Sequence, residues 1–505
     1  MSLLVRRSGN LMELSTGQPE ALPLTVRRLV EPPLTYLYKK WRHSSQRRDP
    51  VTGVQLPKVE VIPRNLYQYD TYGRLCFGVG LWPRVRSVLE INKLLYELVS
   101  CDAPHERPDR FITNWDAVVR NFQFRPGQDD CLVAIAGNEC GIISAPCGFG
   151  KGESIRMICT LYDRANIHVV VPGLSLVEKT VATLSRNIPG VGQLDGTKCI
   201  QGRVTVISAD SLEKSDGDAD ILIGDEIHRL AAPTYARGLA RYRRSRNYGF
   251  SATPEGRLDG ADAELESLFG PIIWHMPYSD ALRRGLVVPI RVEWLDVQMD
   301  DNPVANKTND TTRKRHGIWR NKVRNEVIAE KLCAYGPDIQ VLVLVETVEH
   351  ALHLRKLLPD FQLCYSSGGI SPVDAEAYVK KGLMCTGEEV MTAESREALR
   401  LAFAKGDVLK VIATSVWGTG VDFPLLQVVV RADGMASPIQ DGQLPGRVSR
   451  INDVGKEVGI VIDCVDQFDD TFRRRAVARR RNYAAQGWEN VLPKRLGGSV
   501  FIKRE

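Results

Sequence analysis

A short stretch around residue 150 constrains the fold of this 505-residue chain most strongly. An apolar run of strand character ends at Ala145, and glycines follow at 148 and 150. Ile155, Ile158 and Leu161 then have the spacing of a helix. In this layout backbone N–H groups and the positive helix end point toward one anion, so the stretch predicts an α/β domain with a phosphate-binding loop. The expected nucleotide contacts are Pro146, Cys147, Gly148, Phe149, Gly150, Lys151, Gly152 and Glu153.

Two positions depart from the usual pattern of such a loop. The pattern begins with Gly, where this chain has Ala145, and it places Ser or Thr after the lysine, where this chain has Gly152. The missing hydroxyl normally helps to hold Mg²⁺. Taken alone, the loop has a second interpretation, a glycine turn with a solvated lysine, so the prediction depends on the rest of a nucleotide site.

A pair of acidic residues supplies that second part. Asp225 and Glu226 follow the apolar run 221–224, and ligands gather at the carboxyl ends of strands in parallel sheets. Unpaired buried charge is costly, and Mg²⁺ with a nucleotide would account for both carboxylates. We therefore expect Asp225 to orient the Mg²⁺ shell and Glu226 to polarise the attacking water as general base. Alone, such a pair is more often a helix N-cap, but the phosphate loop upstream favours catalysis.

Further residues are expected to support this site. His228 would link the carboxylates to the next strand, where Ser251 and Thr253 offer hydroxyls that can hydrogen-bond to the acidic pair and report its state. Upstream, Gln128 begins a helix, and its amide could donate to and accept from the edge of an adenine. The alternatives are an exposed glutamine at a helix start and a plain turn at 251–254.

Composition narrows the class of protein. The length predicts about three domains, and 43% apolar with 25% charged residues is ordinary for a globular chain. No run reaches the roughly 18 apolar residues of a membrane helix, and the start lacks a signal-peptide core, so we expect a cytosolic protein without a membrane partner. The eleven cysteines contain no Cys-x-x-Cys pair, which argues against a zinc site or a disulfide framework.

Two basic clusters indicate a nucleic-acid partner. Aromatic residues at 36, 38 and 41 are interleaved with the first cluster, and this combination suits a phosphate backbone plus a stacking surface. A solvated helix face is the alternative for each cluster. The first comprises Lys39, Lys40, Arg42, Arg47 and Arg48, and the second Arg473, Arg474, Arg475, Arg479, Arg480 and Arg481.

Four motifs in the first half resemble, in their order, the nucleotide-side motifs of superfamily 2 DEAD/DEAH-like helicases. They are Phe-Arg-Pro-Gly-Gln at 124–128, Ala-Pro-Cys-Gly-Phe-Gly-Lys at 145–151, Asp-Glu-Ile-His at 225–228 and Ser-Ala-Thr-Pro at 251–254. The second half adds a segment at 415–424 similar to the family's fifth motif, which implies nucleotide contacts at Gly420 and Asp422.

Residues 443–450 match the family pattern Gln-x-x-Gly-Arg-x-x-Arg, which implies catalytic roles for Gln443, Arg447 and Arg450. Three residues apart, the two arginines would project from one helix face, and in the family the arginine in this arrangement acts as a finger on the triphosphate. An arginine pair on an exposed helix is the alternative.

The resemblance implies two tandem RecA-like parallel-sheet lobes preceded by a small α+β domain. We expect an N-terminal accessory, nucleic-acid-binding domain at 1–110, an ATP-binding lobe at 111–284, a linker at 285–330, a second lobe at 331–475 and a basic tail at 476–505. In the N-terminal part, residues 65–70 and 80–83 resemble the leading domains of phage helicases related to branch-migrating and repair motors.

The implied function is that of an ATP- and Mg²⁺-dependent helicase or translocase acting on branched or duplex DNA during replication, recombination or repair. The expected setting is the cytosol of a phage-infected or bacterial cell, with replication or recombination proteins as further partners and a monomer favoured. Two alternatives stay open: a non-hydrolysing ATP-gated nucleic-acid clamp, favoured by Gly152, and the motor subunit of a nuclease or restriction complex.

Overall fold

The computed structural model describes residues 3–18, 20–41, 59–100, 108–254, 259–417, 423–443, 445–451 and 455–492. The chain divides into two compact units, Met1–Pro277 and Tyr278–Glu505. Five expected contact residues lie outside the described residues: Arg42, Arg47, Arg48, Gly420 and Asp422. None of the helices in the described ranges combines the length and the apolar character that a bilayer crossing requires.

The first unit begins with an α+β domain. Its elements are β1 (Leu3–Ser8), β2 (Leu11–Ser15), α1 (Leu24–Val30), β3 (Thr35–Trp41), β4 (Val59–Asn65), β5 (Tyr67–Tyr69), β6 (Leu75–Gly78), α2 (Trp82–Ile91) and β7 (Tyr96–Ser100). Five strands form a mixed sheet in the order β5-β6-β2-β1-β7, while β3 and β4 form a separate antiparallel ribbon. Alternating residues of the strands, such as Leu3 and Val5, are buried with Val85 and Leu89 of α2 in one core.

An α/β lobe completes the first unit. Its elements are α3 (Trp115–Asn121), α4 (Gln128–Ala136), β8 (Cys140–Ser144), α5 (Lys151–Leu161), β9 (Ile167–Val171), α6 (Leu174–Leu184), β10 (Gly192–Leu194), β11 (Cys199–Ile200), β12 (Val204–Ser208), β13 (Ile221–Asp225), α7 (Pro233–Leu239), β14 (Arg246–Ser251), α8 (Asp262–Phe269) and β15 (Ile272–His275). The strand order is β11-β10-β12-β9-β13-β14-β8-β15, and every pairing except β10–β11 is parallel. Helices cover such sheets on both faces, which is why the central strands are nearly continuous apolar runs.

The second unit is another parallel α/β sheet. Its elements are α9 (Tyr278–Arg283), β16 (Ile290–Val297), α10 (Asp310–Lys314), a π-helical turn (Arg315–Trp319), α11 (Lys322–Cys333), β17 (Val341–Leu344), α12 (Val348–Arg355), β18 (Gln362–Cys364), α13 (Pro372–Lys380), α14 (Ala393–Lys405), β19 (Lys410–Ala413), β20 (Val428–Arg431), α15 (Pro438–Gln443), β21 (Gly459–Asp466), α16 (Asp470–Ala485) and β22 (Glu489–Val491). The order β18-β19-β17-β20-β21-β16-β22 is parallel throughout. The predicted fold class, an α+β domain followed by two parallel-sheet lobes, is confirmed.

Two expected boundaries need correction. The segment 285–330 contains β16, which pairs with β21 and β22 and so belongs to the second sheet rather than to a linker. The segment 476–505 contains the end of α16 and β22, so its first part is folded into the second lobe rather than forming a tail. In both places the strand is stabilised by partners far away in the chain, which local composition does not reveal.

Candidate nucleotide-binding site

The loop between β8 and α5 has the backbone of a phosphate cradle. Gly148 and Gly150 both have φ of 93°, a conformation that side-chain-bearing residues rarely adopt. A Cβ at Gly150 would lie 2.9 Å from the Nε2 atom of Gln128, so the loop has no room for a side chain there. Lys151 is the first residue of α5, which places its charge at the positive end of the helix. This geometry suits the binding of an anion.

Residues from α4 and β15 hold the loop in place. Gln128 is 1% exposed; its Oε1 accepts from the backbone N–H of Arg125 at 2.9 Å, and its Nε2 donates to the carbonyl of Phe149 at 3.2 Å. Arg125 donates to the carbonyl of Gly148 at 3.1 Å, and the buried ring of Phe149 packs on Trp274. The alternative of an exposed glutamine is therefore wrong, while the adenine contact of Gln128 stays a prediction. Arg125 was not predicted as a site residue, and its place in the 124–128 motif is the only signal that could have identified it.

Both carboxylates lie beside the lysine. Asp225 ends β13, and its Oδ1 accepts from the backbone N–H of Glu226 at 3.0 Å. The Nζ of Lys151 lies 4.0 Å from Oε1 of Glu226 and donates to the carbonyl of Ala145 at 3.4 Å. Glu226 has φ of 50° and ψ of 48°, a left-handed conformation that is uncommon for a residue with a side chain and is found mostly at functional sites.

The helix N-cap alternative for the acidic pair is not supported. A 3₁₀ helix, Ile227–Arg229, follows Glu226, but the side chain of Glu226 makes no capping hydrogen bond. Its Oε2 is buried and has no hydrogen-bond partner among the described residues, although it lies 3.4 Å from Nδ1 of His228. The geometry of that contact does not qualify as a hydrogen bond. An unsatisfied carboxylate oxygen at a buried position needs another partner, such as a ligand.

The electrostatics of the site also indicate that the acidic pair needs a ligand. Burial, followed by the negative charge of Glu226, raises the pKa of Asp225 to about 7, while Lys151 opposes the shift. Two adjacent carboxylates with one lysine therefore form a site short of positive charge. Oxygen donors of this kind fit Mg²⁺, which usually takes one or two carboxylates together with water and phosphate oxygens. No group of three or more metal-ligating side chains occurs among the described residues, so a cation here would need those additional oxygens.

His228 connects the acidic pair to the neighbouring strand. Its Nδ1 lies 3.1 Å from Oγ of Ser251, the last residue of β14, and both side chains are buried. The backbone N–H of Thr253 donates to the same Oγ at 3.1 Å. The segment 251–254 is thus tied to the carboxylates by a defined contact. The coupling role of the three residues stays a prediction.

Glu153 and Gly152, both at the start of α5, have different surroundings. The carboxylate of Glu153 accepts from Arg156 and, at 3.2 Å, from Arg186, so its side chain serves to hold α5. At Gly152, in contrast, an added Cβ would meet no atom within 4 Å. The absence of the usual hydroxyl at this position is therefore not imposed by packing.

The second unit carries the remaining expected residues. Gln443 ends α15, and Arg447 lies in a 3₁₀ helix, Pro445–Ser449, where its Nη1 donates to the carbonyl of Trp417 at 2.6 Å. Arg450 follows that helix and forms a β-bridge with Val287. The expectation that both arginines project from one helix needs correction, because the bridge ends the helix before Arg450. Both Gln443 and Arg447 are largely buried, which argues against an arginine pair on an exposed helix.

Part of the second basic cluster belongs to the core of the second unit. Arg479 is fully buried and forms two hydrogen bonds with Asp463, at 2.8 and 2.9 Å. Arg475 pairs with Asp310 at 2.8 Å. Both charges are neutralised within the fold, Arg479 by Asp463 on β21 and Arg475 by Asp310 on α10. The expectation that the whole cluster forms a phosphate-binding face therefore needs correction; Arg473, Arg474, Arg480 and Arg481 are exposed.

Comparison with known families matches both halves of the chain. Residues 115–256 match the family model described as "Type III restriction enzyme, res subunit", and residues 324–452 match "Helicase conserved C-terminal domain". The first match spans the phosphate loop, the acidic pair and the 251–254 segment. The second spans β17 to the segment around Arg447.

Comparison with individual proteins also finds similarity to helicases and translocases. The chain is 23% identical to "DNA 3'-5' helicase XPB" of Mycobacterium tuberculosis, over 70% of this chain and 62% of that protein. It is 22% identical to "DNA 3'-5' translocase XPB2" of Sulfurisphaera tokodaii, over 71% and 84%. The fold is similar to that of S. cerevisiae Dbp5 bound to RNA and ADP BeF3, with a TM-score of 0.51 and 14% identity over 74% of this chain and 91% of that chain. The chain thus spans about three fifths of the mycobacterial relative.

Proposed function

Because the chain belongs to the DEAD/DEAH-like helicases of superfamily 2, we propose that it is a nucleic-acid-dependent ATPase that works as a helicase or translocase. One observation carries the proposal: Lys151, at the end of a glycine cradle, lies 4.0 Å from Glu226, whose second oxygen is buried and has no hydrogen-bond partner in the part of the chain that the structure describes. A cation and an acid placed so close beside a phosphate loop can bind a triphosphate and activate the water that attacks it.

Each residue of the first lobe then has a distinct role. Lys151 and the backbone N–H groups of the loop bind the phosphates. Glu226 accepts a proton from the water that attacks the γ-phosphorus, while the bond to the leaving oxygen of ADP breaks. Asp225 and Glu226 would hold Mg²⁺, which when bound neutralises phosphate charge. Ser251 and Thr253 sense the acidic pair through His228.

The second lobe supplies the groups that make hydrolysis depend on its position. Arg447 and Arg450 are arginines suited to bind phosphate oxygens with two hydrogen bonds each, and Gln443 precedes them. Gly420 and Asp422 complete the proposed nucleotide contacts. If hydrolysis needs groups from both lobes, ATP binding and loss of the γ-phosphate favour different states of the protein. With nucleic acid held on each lobe, this cycle moves the protein along a strand.

DNA is the proposed partner, in branched or duplex form, and replication, recombination or repair the proposed setting. The sequence relatives are named as DNA helicases or translocases with 3'-5' polarity. Contacts to the backbone carry little sequence information, so binding should depend on nucleic-acid structure and fall steeply with salt.

Phosphate release in the presence of single-stranded, duplex, forked and four-way DNA, and of matching RNA, tests the proposal. We expect stimulation by DNA, and we expect Lys151→Ala and Glu226→Gln each to abolish it. Lys198→Ala is the matched control, because Lys198 is exposed in the turn between β10 and β11. An unchanged rate in either site variant would refute the assigned roles.

A second candidate is the motor subunit of a restriction or nuclease complex. The description of the family model matched by residues 115–256 favours it. Such a subunit would hydrolyse ATP in the same way but would copurify with a partner that cuts DNA. Isolation of the active protein free of any partner, with full DNA-stimulated hydrolysis, would exclude this candidate.

A further inference from the structure

The β3–β4 ribbon (Thr35–Trp41 and Val59–Asn65) stands outside both larger sheets of the first unit. Its seven cross-strand pairs run from Thr35 opposite Asn65 to Trp41 opposite Val59. An isolated pair of strands is marginally stable in water, so a ribbon of this length needs support from the rest of the fold. The proposed ATPase site makes no use of it.

Three contacts hold strand β3 of the ribbon against the ATP-binding lobe. The hydroxyl of Tyr36 donates to Oε1 of Glu264 on α8 at 2.8 Å, and the backbone N–H of Lys39 donates to the carbonyl of Asp259 at 3.0 Å. At Gly260 a Cβ would lie 2.8 Å from the carbonyl of Leu37, so the two backbones are closely packed. A load on the ribbon would therefore be transmitted to the segment that follows the 251–254 motif.

The sequence from the start of β3 to the end of β4 is basic. Residues 35–65 contain seven Lys or Arg and two Asp or Glu, a net charge of +5, whereas the entire chain carries +6. The strands themselves contribute three of these cations, of which Lys39 and Lys40 are exposed, and one acid, Glu60, which lies opposite Lys40 in the register. The guanidinium of Arg64 lies 4.3 Å from the ring centre of Tyr38 and stiffens the ribbon across its strands. A run of sequence this basic is typical of a chain that binds a polyanion.

The outer face of the ribbon combines charge with exposed apolar groups. Leu37 is 59% and Val61 52% exposed, and Lys39 lies on the same face, opposite Val61 in the register. This face of the ribbon therefore offers both a cation and apolar side chains to a partner.

From this arrangement we infer that the β3–β4 ribbon is a second DNA contact that enters the major groove of a duplex. The major groove of B-form DNA admits a two-stranded ribbon, with apolar side chains able to face base edges and lysines able to reach phosphates. The deep, narrow major groove of an RNA helix does not. The inference rests on the proposed function in one respect, that the partner is nucleic acid.

Equilibrium binding of a fluorescent blunt DNA duplex without nucleotide, over a range of salt concentrations, tests the ribbon separately from hydrolysis. The variant is Lys39→Ala with Lys40→Ala. The matched control is Lys380→Ala with Lys381→Ala, because these two lysines are also adjacent and exposed, at the end of α13. We expect the ribbon variant to lose about tenfold in affinity and about 1.8 in the slope of log affinity against log salt, from two lost phosphate contacts.

Three outcomes would overturn the inference. They are a wild-type slope in the ribbon variant, an equal loss in the control variant, and an equal loss of affinity for an RNA duplex. Failure of the proposed ATPase function would be seen in a different measurement, the release of phosphate. A wild-type protein whose phosphate release no nucleic acid stimulates would refute the ATPase proposal, whereas the salt slopes would still decide the role of the ribbon.

Discussion

Replacing Gly152 by threonine tests the departure that distinguishes this phosphate loop. Gly152 is the second residue of α5, a Cβ there meets no atom within 4 Å, and its φ is not in the left-handed region. A side chain added at such a position stabilises the fold by about 0.4–1 kcal/mol, mainly because it restricts the unfolded chain. Alanine should give this gain, and threonine rather less because of its lower helix propensity.

The added hydroxyl should also change metal binding. In the usual loop the Ser or Thr hydroxyl at this position is an Mg²⁺ ligand, and in this chain a water would have to replace it. We expect Gly152→Thr to tighten Mg²⁺-dependent binding of ATP about tenfold, equivalent to about 1.4 kcal/mol. Gly152→Ala provides the same backbone without the hydroxyl and should leave the Mg²⁺ dependence unchanged.

Denaturant unfolding and Mg²⁺ titration of fluorescent-nucleotide binding measure the two effects. Gly150→Ala is the opposite control, because Gly150 has φ of 93° and its Cβ would lie 2.9 Å from Gln128, so we expect a loss of about 1–2 kcal/mol. Equal Mg²⁺ dependence in the threonine and alanine variants would show that the metal does not reach position 152. Destabilisation by Gly152→Ala would contradict the finding that a Cβ at position 152 meets no other atom.

Two further predictions concern buried charge. Asp225→Asn should stabilise the nucleotide-free protein by up to about 4 kcal/mol at pH 8. The pKa of Asp225 is about 7 in the folded protein and about 4 in the unfolded chain, so the free energy of unfolding of the wild type falls as the pH rises between these two values. Thermal unfolding should show the gain disappearing below about pH 4, and a pH-independent difference would contradict it. Arg479→Met should cost about 3–5 kcal/mol in urea unfolding, because it leaves Asp463 buried and charged. Adding Asp463→Leu should recover most of that loss, and full stability of the single variant would refute the pairing.

The elements that could be predicted from the sequence are those that depend on residues close together in the chain. The strand, glycine loop and helix around Lys151, and the acidic pair that closes β13, depend on neighbours in the chain, and the structure brings them together. The end of helix α2 (Trp82–Ile91), in contrast, is set by one backbone conformation. The helix ends at Ile91, because Lys93 takes a positive φ and turns the chain toward β7.

What the sequence could not predict depends on distant partners. The burial of Arg479 requires Asp463, and the strand at 290–297 requires β21 and β22. The bridge from Arg450 to Val287, which ends the short helix, joins segments more than 150 residues apart. Nothing in the local pattern of charge or apolar residues distinguishes these positions from a solvated helix or a linker.

Lys151 of the first unit and Arg447 of the second are both proposed to act in ATP hydrolysis. Energy transfer between dyes on Cys199 and Cys385, exposed residues of the first and second units, reports whether the nucleotide changes the distance between these two residues. The measurement requires replacement of Cys101, Cys140, Cys147 and Cys333 by serine, so that only the two chosen residues carry dyes. We predict that Mg²⁺ with a hydrolysis-resistant ATP analogue changes the transfer efficiency in the otherwise wild-type protein, and that Lys151→Ala and Arg447→Ala each remove the change. Bound analogue with no change in transfer, or a full change in Arg447→Ala, would contradict this proposal.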